Sequence, residues 1–184
     1  MSTPPHSPSL FVLRPCDHVQ GDAGAAVTLI HYGCYTCPLC ATLHLILSDL
    51  LLDFESQLRV VFRHFPTPDP TEQSLHAAEA AEAASAQGKF WQMHNLLLTH
   101  QDALGDGELV EYAIAIQLNI PQFLREMRQD VHVERVSSDL ESGLQLGVDQ
   151  VPAVFINGHR YRGDWNFDAL SAEIKAVLKQ SQLI

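Results

Sequence analysis

Two cysteines three residues apart, Cys37-Pro38-Leu39-Cys40, stand where an extended run turns into a helical one. Val27-Thr28-Leu29-Ile30-His31-Tyr32 has the β-branched and aromatic content of a strand. Beyond the cysteines, Leu39, Leu43, Ile46, Leu47, Leu50 and Phe54 recur at spacings of three and four, one face of a helix. Pro38 fits the first helical turn, where a missing N–H costs nothing. A thiol at a helix N-terminus meets the positive end of the dipole and free N–H groups, and both favour thiolate. The second thiol lies one turn along, within reach of a mixed disulfide on the first. The spacing therefore suggests a redox pair, Cys37 and Cys40, with Cys34 as a third thiol beside it.

The 184 residues suit one domain, with room for an insertion. A net charge of −11 argues against nucleic-acid or anionic-membrane partners, which would repel the chain. Arg59, Arg63, Arg160 and Arg162 read as solvated strand-edge charges. No run approaches the ~20 apolar residues of a membrane span. The first ten residues are Pro-rich, with no cationic or apolar segment of a signal peptide. They read as the disordered start of an N-terminal extension over 1–20, and the expected location is cytoplasmic, with periplasm or export as the alternative. Three of the four cysteines fall within Cys34–Cys40, which points to redox or metal chemistry rather than a disulfide-stapled mini-domain.

Leu10-Phe11-Val12-Leu13 is a candidate edge strand, and Gly21 to Ala26 a turn. Leu58 to Phe65 reads as a second strand, closed by Pro66, Pro68 and Pro70. Strand, helix and strand with a short return loop make a βαβ unit, so the two strands should be parallel. An Ala- and Glu-rich helix follows over Thr71 to Gln87. Further helices are expected from Phe90 to His100, from Asp106 (as N-cap) to Leu118, from Pro121, and from Val133 to Leu146. Val151 to Ile156 reads as a strand, Asn157-Gly158 as a type I′ turn, and His159 to Arg162 as its partner. Asp168 to Gln180 is the last helix. The order β-α-β, helices, β-β-α is an α/β thioredoxin fold with a helical insertion, residues 70–146, between the βαβ and ββα halves. A single domain over 21–184 contains it.

The chain resembles the DsbA-like thioredoxin family of thiol–disulfide oxidoreductases over about residues 17–182. The resemblance rests on Asp17-His18-Val19-Gln20-Gly21, Cys37-Pro38-Leu39-Cys40, Val61-Phe62-Arg63-His64-Phe65-Pro66, Ala77 to Ala84, Gly88-Lys89-Phe90-Trp91, Gly147-Val148, Val151-Pro152 and Phe155-Ile156-Asn157-Gly158. It implies that Cys37 attacks a protein thiol or disulfide and Cys40 resolves the mixed disulfide. It also implies a recycling redox partner and no cofactor. Pro152 would be the family's cis-proline beside the cysteines, leaving the Val151 backbone to pair with substrate near Pro38 and Leu39.

The chain departs from those relatives at two places. Six residues before Cys37, where relatives usually carry a buried Glu or Asp, stands His31. It is open to two readings, an acid–base partner of the resolving thiol or a core histidine without a role. Cys34 stands where relatives often have Asp. With Cys37, Cys40 and His44 it imitates an iron–sulfur or zinc run, to which Cys16 or His18 could add a ligand. Cys34 could instead be a backup or regulatory thiol pairing with Cys37 or Cys16, or Cys34 and Cys16 could be thiols without a role. A glutathione-using transferase or isomerase on the same fold is a further alternative, although that group usually has Ser where Cys37 stands. His44, His64, His76, His94, His100 and His132 are scattered, without shared metal spacing. The sequence does not set substrate, direction or oligomeric state.

Overall fold

The computed structural model describes residues 11–68 and 72–181. The Pro-rich start, Pro70 and the expected opening of the insertion at 70–71 lie outside them. The first long strand, β2 (Val27–Gly33), runs parallel to β3 (Leu58–His64), in register from Val27↔Leu58 to Gly33↔His64. Between them α1 (Pro38–Phe54) buries Cys40, Leu43, Leu47, Leu50 and Phe54. Each fully buried Leu or Phe contributes about 1.5–3 kcal/mol. β4 (Ala153–Ile156) pairs antiparallel with β2 and with the short β5 (His159–Arg160). The turn joining β4 and β5 has positive φ at Asn157 (45°) and Gly158 (87°), as a type I′ turn requires. The last helix, α7 (Phe167–Ser181), packs beside α1.

The outer strand differs from the sequence expectation. It is β1 (His18–Gly21), antiparallel to β3, and residues 18–20 therefore belong to the sheet. Phe11 to Leu13 form no strand. Phe11 packs its ring 5.4 Å from that of Phe155, and the Val12 carbonyl accepts a hydrogen bond from Arg63. The sheet order is β1-β3-β2-β4-β5.

Five helices fill the interval between β3 and β4: α2 (Gln73–Ser85), α3 (Phe90–Thr99), α4 (Asp106–Ala115), α5 (Ile120–Arg128) and α6 (Val133–Gln145). Asp106 is the first helical residue of α4, and Gly105 takes the cap position. α2 is buried almost all round, because alanines at 77, 78, 80, 81, 83 and 84 let α3, α5 and α6 approach closely. α3 starts at Phe90, whose ring stacks on His18 with centroids 3.4 Å apart. The helical layer is thereby fastened to the sheet edge.

Arg63 corrects the reading of a solvated charge. Its side chain is fully buried and forks onto Asp17, with Nε and Nη2 at 2.9 and 2.8 Å from the two carboxylate oxygens. Nη1 donates to the Tyr32 hydroxyl at 2.9 Å. Burial alone would raise the Asp17 pKa, but the Arg63 hydrogen bond holds it below its ordinary value. Nearby, buried Asp139 of α6 accepts the His64 backbone N–H at 3.0 Å and pairs with Arg135 and Arg14. Replacing Arg63 by Met leaves Asp17 with Arg14 as its remaining cation (their closest approach is 3.0 Å). Arg63→Met should cost about 3 kcal/mol, and Asp17→Leu on top should recover part of it. Urea unfolding of the three chains checks this, and a single-variant loss under about 1 kcal/mol would contradict the assigned role.

Candidate active site

β2 ends at Gly33, and Cys34-Tyr35-Thr36 turns the chain into α1. Cys37 is the N-cap, extended at φ −95°, ψ 115°, and its carbonyl accepts the Cys40 N–H at 3.0 Å. Tyr35 anchors the turn from below. It is buried and its hydroxyl lies 3.0 Å from His94 Nδ1. A residue the sequence did not single out clamps the turn from above. Gln101, between α3 and α4, donates Nε2–H to the carbonyls of Tyr35 (2.7 Å) and Cys37 (2.9 Å). Nothing in its local sequence marks it, because its partners lie more than sixty residues earlier.

The Cys37 sulfur is half-buried, and its S–H donates to the Val151 carbonyl at 3.6 Å. The Val151–Pro152 peptide is cis. Pro38 and Leu39 are exposed beside Cys37, Leu39 by 52%. Cys40 is fully buried one turn into α1, and Cys34 is 2% exposed. Cys16 is exposed ahead of β1 and shares none of these sulfur contacts. The structure thus gathers Cys34, Cys37, Cys40, Val151 and Pro152, and leaves Cys16 outside.

The Cys40 thiol is the largest influence on the pKa of both Cys34 and Cys37, and charge on Cys34 opposes ionisation of Cys37. The hydrogen bond from Cys40 brings the Cys37 pKa down to about 7, against opposition from burial. A hydrogen bond from Cys40 likewise lowers Cys34 to about 5, helped by the Thr36 and Thr67 hydroxyls at 3.6 and 3.8 Å. Cys40 itself is pushed up, first by Cys34, then by Cys37 and burial. It carries one S–H, so it stabilises one neighbouring thiolate at a time.

His31 lies on β2 facing α1. Burial, with repulsion from His44, pushes its pKa down to about 3, so it is neutral at physiological pH. Its Nε2 is buried without a hydrogen-bond partner, and no hydrogen bond joins it to Cys40 among the described residues. It opens instead onto a cavity of about 10 Å³ lined by Gln20, His44, Ser48, Trp91 and His94, with no cysteine in the lining. Such a space holds one water at most. Gly33 makes the room: a Cβ there would come 2.6 Å from His31 Nε2. The histidines that looked scattered partly converge, with the His44 and His94 rings 5.0 Å apart.

The cysteine run does not form a three-ligand metal set. Among the described residues, the trio of His, Cys, Asp or Glu whose ligand atoms gather within 4.8 Å is His18, His64 and Glu82. Glu82 Oε1 lies 2.7 Å from His18 Nε2 and 2.9 Å from His64 Nε2. Burial would raise the Glu82 pKa, but these two hydrogen bonds hold it far below its ordinary value. His64 Nδ1 is buried with no partner, so its proton belongs on Nε2, facing Glu82. Metal ligation at Nε2 would move that proton to the partnerless nitrogen. The trio fits a hydrogen-bonded anchor joining β1, β3 and α2 better than a metal centre.

The thioredoxin family matches residues 14–176. This chain belongs to it. Relatives include an Na(+)/H(+) antiporter NhaA of Salinispora tropica, 37% identical over 91% of this thioredoxin-family chain and 26% of the relative. The chain thus spans about a quarter of the length of the curated relatives it matches. The structure is similar to alpha-DsbA1 of Wolbachia pipientis, with a TM-score of 0.83, 18% identity, and coverage of 96% of this chain and 98% of that one. A thioredoxin-like oxidoreductase of Silicibacter pomeroyi is similar with a TM-score of 0.77 and 22% identity, over 93% and 95% of the two chains. These likenesses establish a DsbA-like thioredoxin fold.

Neutral burial of His31 has a consequence for stability. Its folded pKa lies below the unfolded value of 6.5, so above that pH both states are neutral and nothing is gained or lost. Between pH 6.5 and about 3 the unfolded chain takes up a proton that the folded chain refuses, and stability falls. His44 and His94 are shifted in the same sense. His31→Leu should therefore remove part of the acid-side slope of unfolding free energy against pH, on the order of one proton across that window. An unchanged slope in urea titrations at pH 7, 6, 5 and 4 would refute the assignment.

Proposed function

We propose that this thioredoxin-family chain is a protein thiol–disulfide oxidoreductase that works through Cys37 and Cys40. One observation carries the reading: the half-buried Cys37 sulfur sits at the N-cap of α1, 3.6 Å from the Val151 carbonyl, with the buried Cys40 thiol one turn along the same helix. A thiolate with a pKa near ambient pH is a strong attacking group, and Cys37 at about 7 meets that condition. In the reductive direction, the Cys37 thiolate attacks a substrate disulfide and releases one substrate thiolate. Cys40 then attacks Cys37, the Cys37–Cys40 bond forms, and the second substrate sulfur leaves. The oxidative direction is the reverse, and a recycling redox partner restores the starting state. The Val151 backbone, Pro38 and Leu39 would form the docking surface for an extended substrate segment.

His31 enters as a neutral group on the strand beneath α1. Where an acid would oppose a thiolate, a neutral imidazole does not, which favours the reduced form and an oxidising couple. In the cytoplasm such a couple would be held reduced. In an exported setting it would act as an oxidase.

The test is a titration in glutathione buffers with acid quenching, alkylation and peptide mapping. A reversible Cys37–Cys40 disulfide is expected. Cys37→Ser should lower exchange with an unfolded reduced protein by about a hundredfold or more, and Cys40→Ser should accumulate a mixed disulfide at Cys37. Absence of a reversible Cys37–Cys40 pair would end this reading.

A further inference from the structure

Thiol–disulfide exchange needs the Cys37 sulfur held on the line of attack and at the helix start, where free N–H groups favour thiolate. The turn that carries it is neither strand nor helix over Cys34 to Thr36. Its Tyr35 and Cys37 carbonyls meet one donor from outside, the Gln101 amide nitrogen, at 2.7 and 2.9 Å. The Cys37 carbonyl also opens the hydrogen-bond ladder of α1, accepting the Cys40 and Ala41 N–H groups at 3.0 and 3.3 Å. The peptide groups that bracket Thr36 and Cys37 are thereby pinned, and the pin sets the direction in which the Cys37 side chain leaves the backbone. Two carbonyl partners accept only the nitrogen end of the amide, so the orientation of Gln101 follows from chemistry.

Gln101 is itself held in place. It lies in the turn between α3 and α4, where the Ala103 N–H returns to the His100 carbonyl at 3.0 Å. Tyr112 of α4 donates its hydroxyl to the Ala103 carbonyl at 2.8 Å, and its ring packs 5.5 Å from that of His100. His100 is turned back onto α3, with Nδ1 3.0 Å from the Leu96 carbonyl, and Leu104 is buried at the end of the turn. A group that orients a reacting atom must be locked by its own neighbours in this way, or it transmits no precision.

We propose that Gln101 is a positioning residue for exchange at Cys37, and that Tyr112 supports it from α4. The proposal rests on the oxidoreductase reading for the reaction it serves. Gln101 acts through the main chain, since its hydrogen bonds reach carbonyls and no sulfur. With both bonds made, the Cys37 sulfur stays at the N-cap of α1, 3.6 Å from the Val151 carbonyl. Without them, two carbonyls lose a donor and the backbone of Thr36 and Cys37 gains freedom. The sulfur then spends less time at the helix start and on the line of attack. Among the described residues, neither bond of Gln101 goes to Val151, Pro38 or Leu39, the groups assigned to docking. The loss therefore falls on thiolate formation and the chemical step, and leaves substrate binding as it was.

The test compares the reduced full chain with Gln101→Met, which keeps the length of the side chain and removes both donors. Cys37 is labelled with iodoacetamide across a pH series and quantified by peptide mapping, in buffer where urea titration shows the chains folded. Cys40 and Cys34 are the titratable groups that weigh on Cys37, and both are kept in every variant. The parent midpoint is expected at about 7. Gln101→Met should raise it and slow labelling at neutral pH by about threefold or more, with little change on the alkaline plateau. For exchange with an unfolded reduced protein, kcat should fall while KM stays the same. Tyr112→Phe, at the far end of the same contacts, should move the midpoint in the same direction by less. An unmoved midpoint and an unmoved kcat in folded Gln101→Met overturn the proposal. If that chain does not fold, the same two results in Tyr112→Phe overturn it. A raised midpoint in the variants of a chain that shows no exchange would keep the hold on Cys37 and end the oxidoreductase reading.

Discussion

The buried fork of Arg63 onto Asp17 is the contact on which the architecture around the site depends. Arg63 sits on β3, Asp17 just ahead of β1, and Tyr32, which also receives Arg63, on β2 two residues before Cys34. One residue further along β3, the His64 N–H binds Asp139 of α6, and the Tyr32 hydroxyl reaches Ser142 on the same helix. A charge pair of this kind gives little net stability against an apolar replacement, but it tolerates no loss of one member. Its value here is positional. It holds the leading segment, the two parallel strands and the last inserted helix together at the end of the sheet from which the cysteine turn departs.

The parts of this arrangement that were legible in the sequence are those governed by local periodicity. α1 announced itself through leucines at three- and four-residue steps, and β2 and β3 through dense β-branched runs. Asn157-Gly158 marked its turn because few residues accept positive φ at both central positions. The edge strand was not legible. His18-Val19-Gln20-Gly21 shows no strong alternation, and what draws it in is pairing with β3 some forty residues later, reinforced by His18 stacking on Phe90. Arg63 looked like a surface charge because nothing nearby in the chain reveals that Asp17 lies beneath it. Tertiary partners, not propensities, decide such residues.

The same division runs through the site. Helix-start position and cysteine spacing are local, so Cys37 and Cys40 could be read directly. The departures at His31 and Cys34 could be noticed but not interpreted. His31 turned out to face a small cavity with His44 rather than a sulfur, and Gly33 leaves it the space. Cys34 is buried against the hydroxyls of Thr36 and Thr67, and the exposed Cys16 shares none of its contacts. Thr67 lies 33 residues further along the chain, so no local spacing could reveal that contact.

Gln101 has a mechanical meaning beyond holding a turn. It belongs to the inserted helical layer, yet both hydrogens of its amide nitrogen are spent on carbonyls of the turn that carries the attacking sulfur. The layer and the turn are therefore joined directly by two hydrogen bonds from one side chain. Movement of the segment between α3 and α4 would strain both hydrogen bonds to the turn that carries Cys37. The inserted layer is thereby part of the frame that fixes where the Cys37 turn sits.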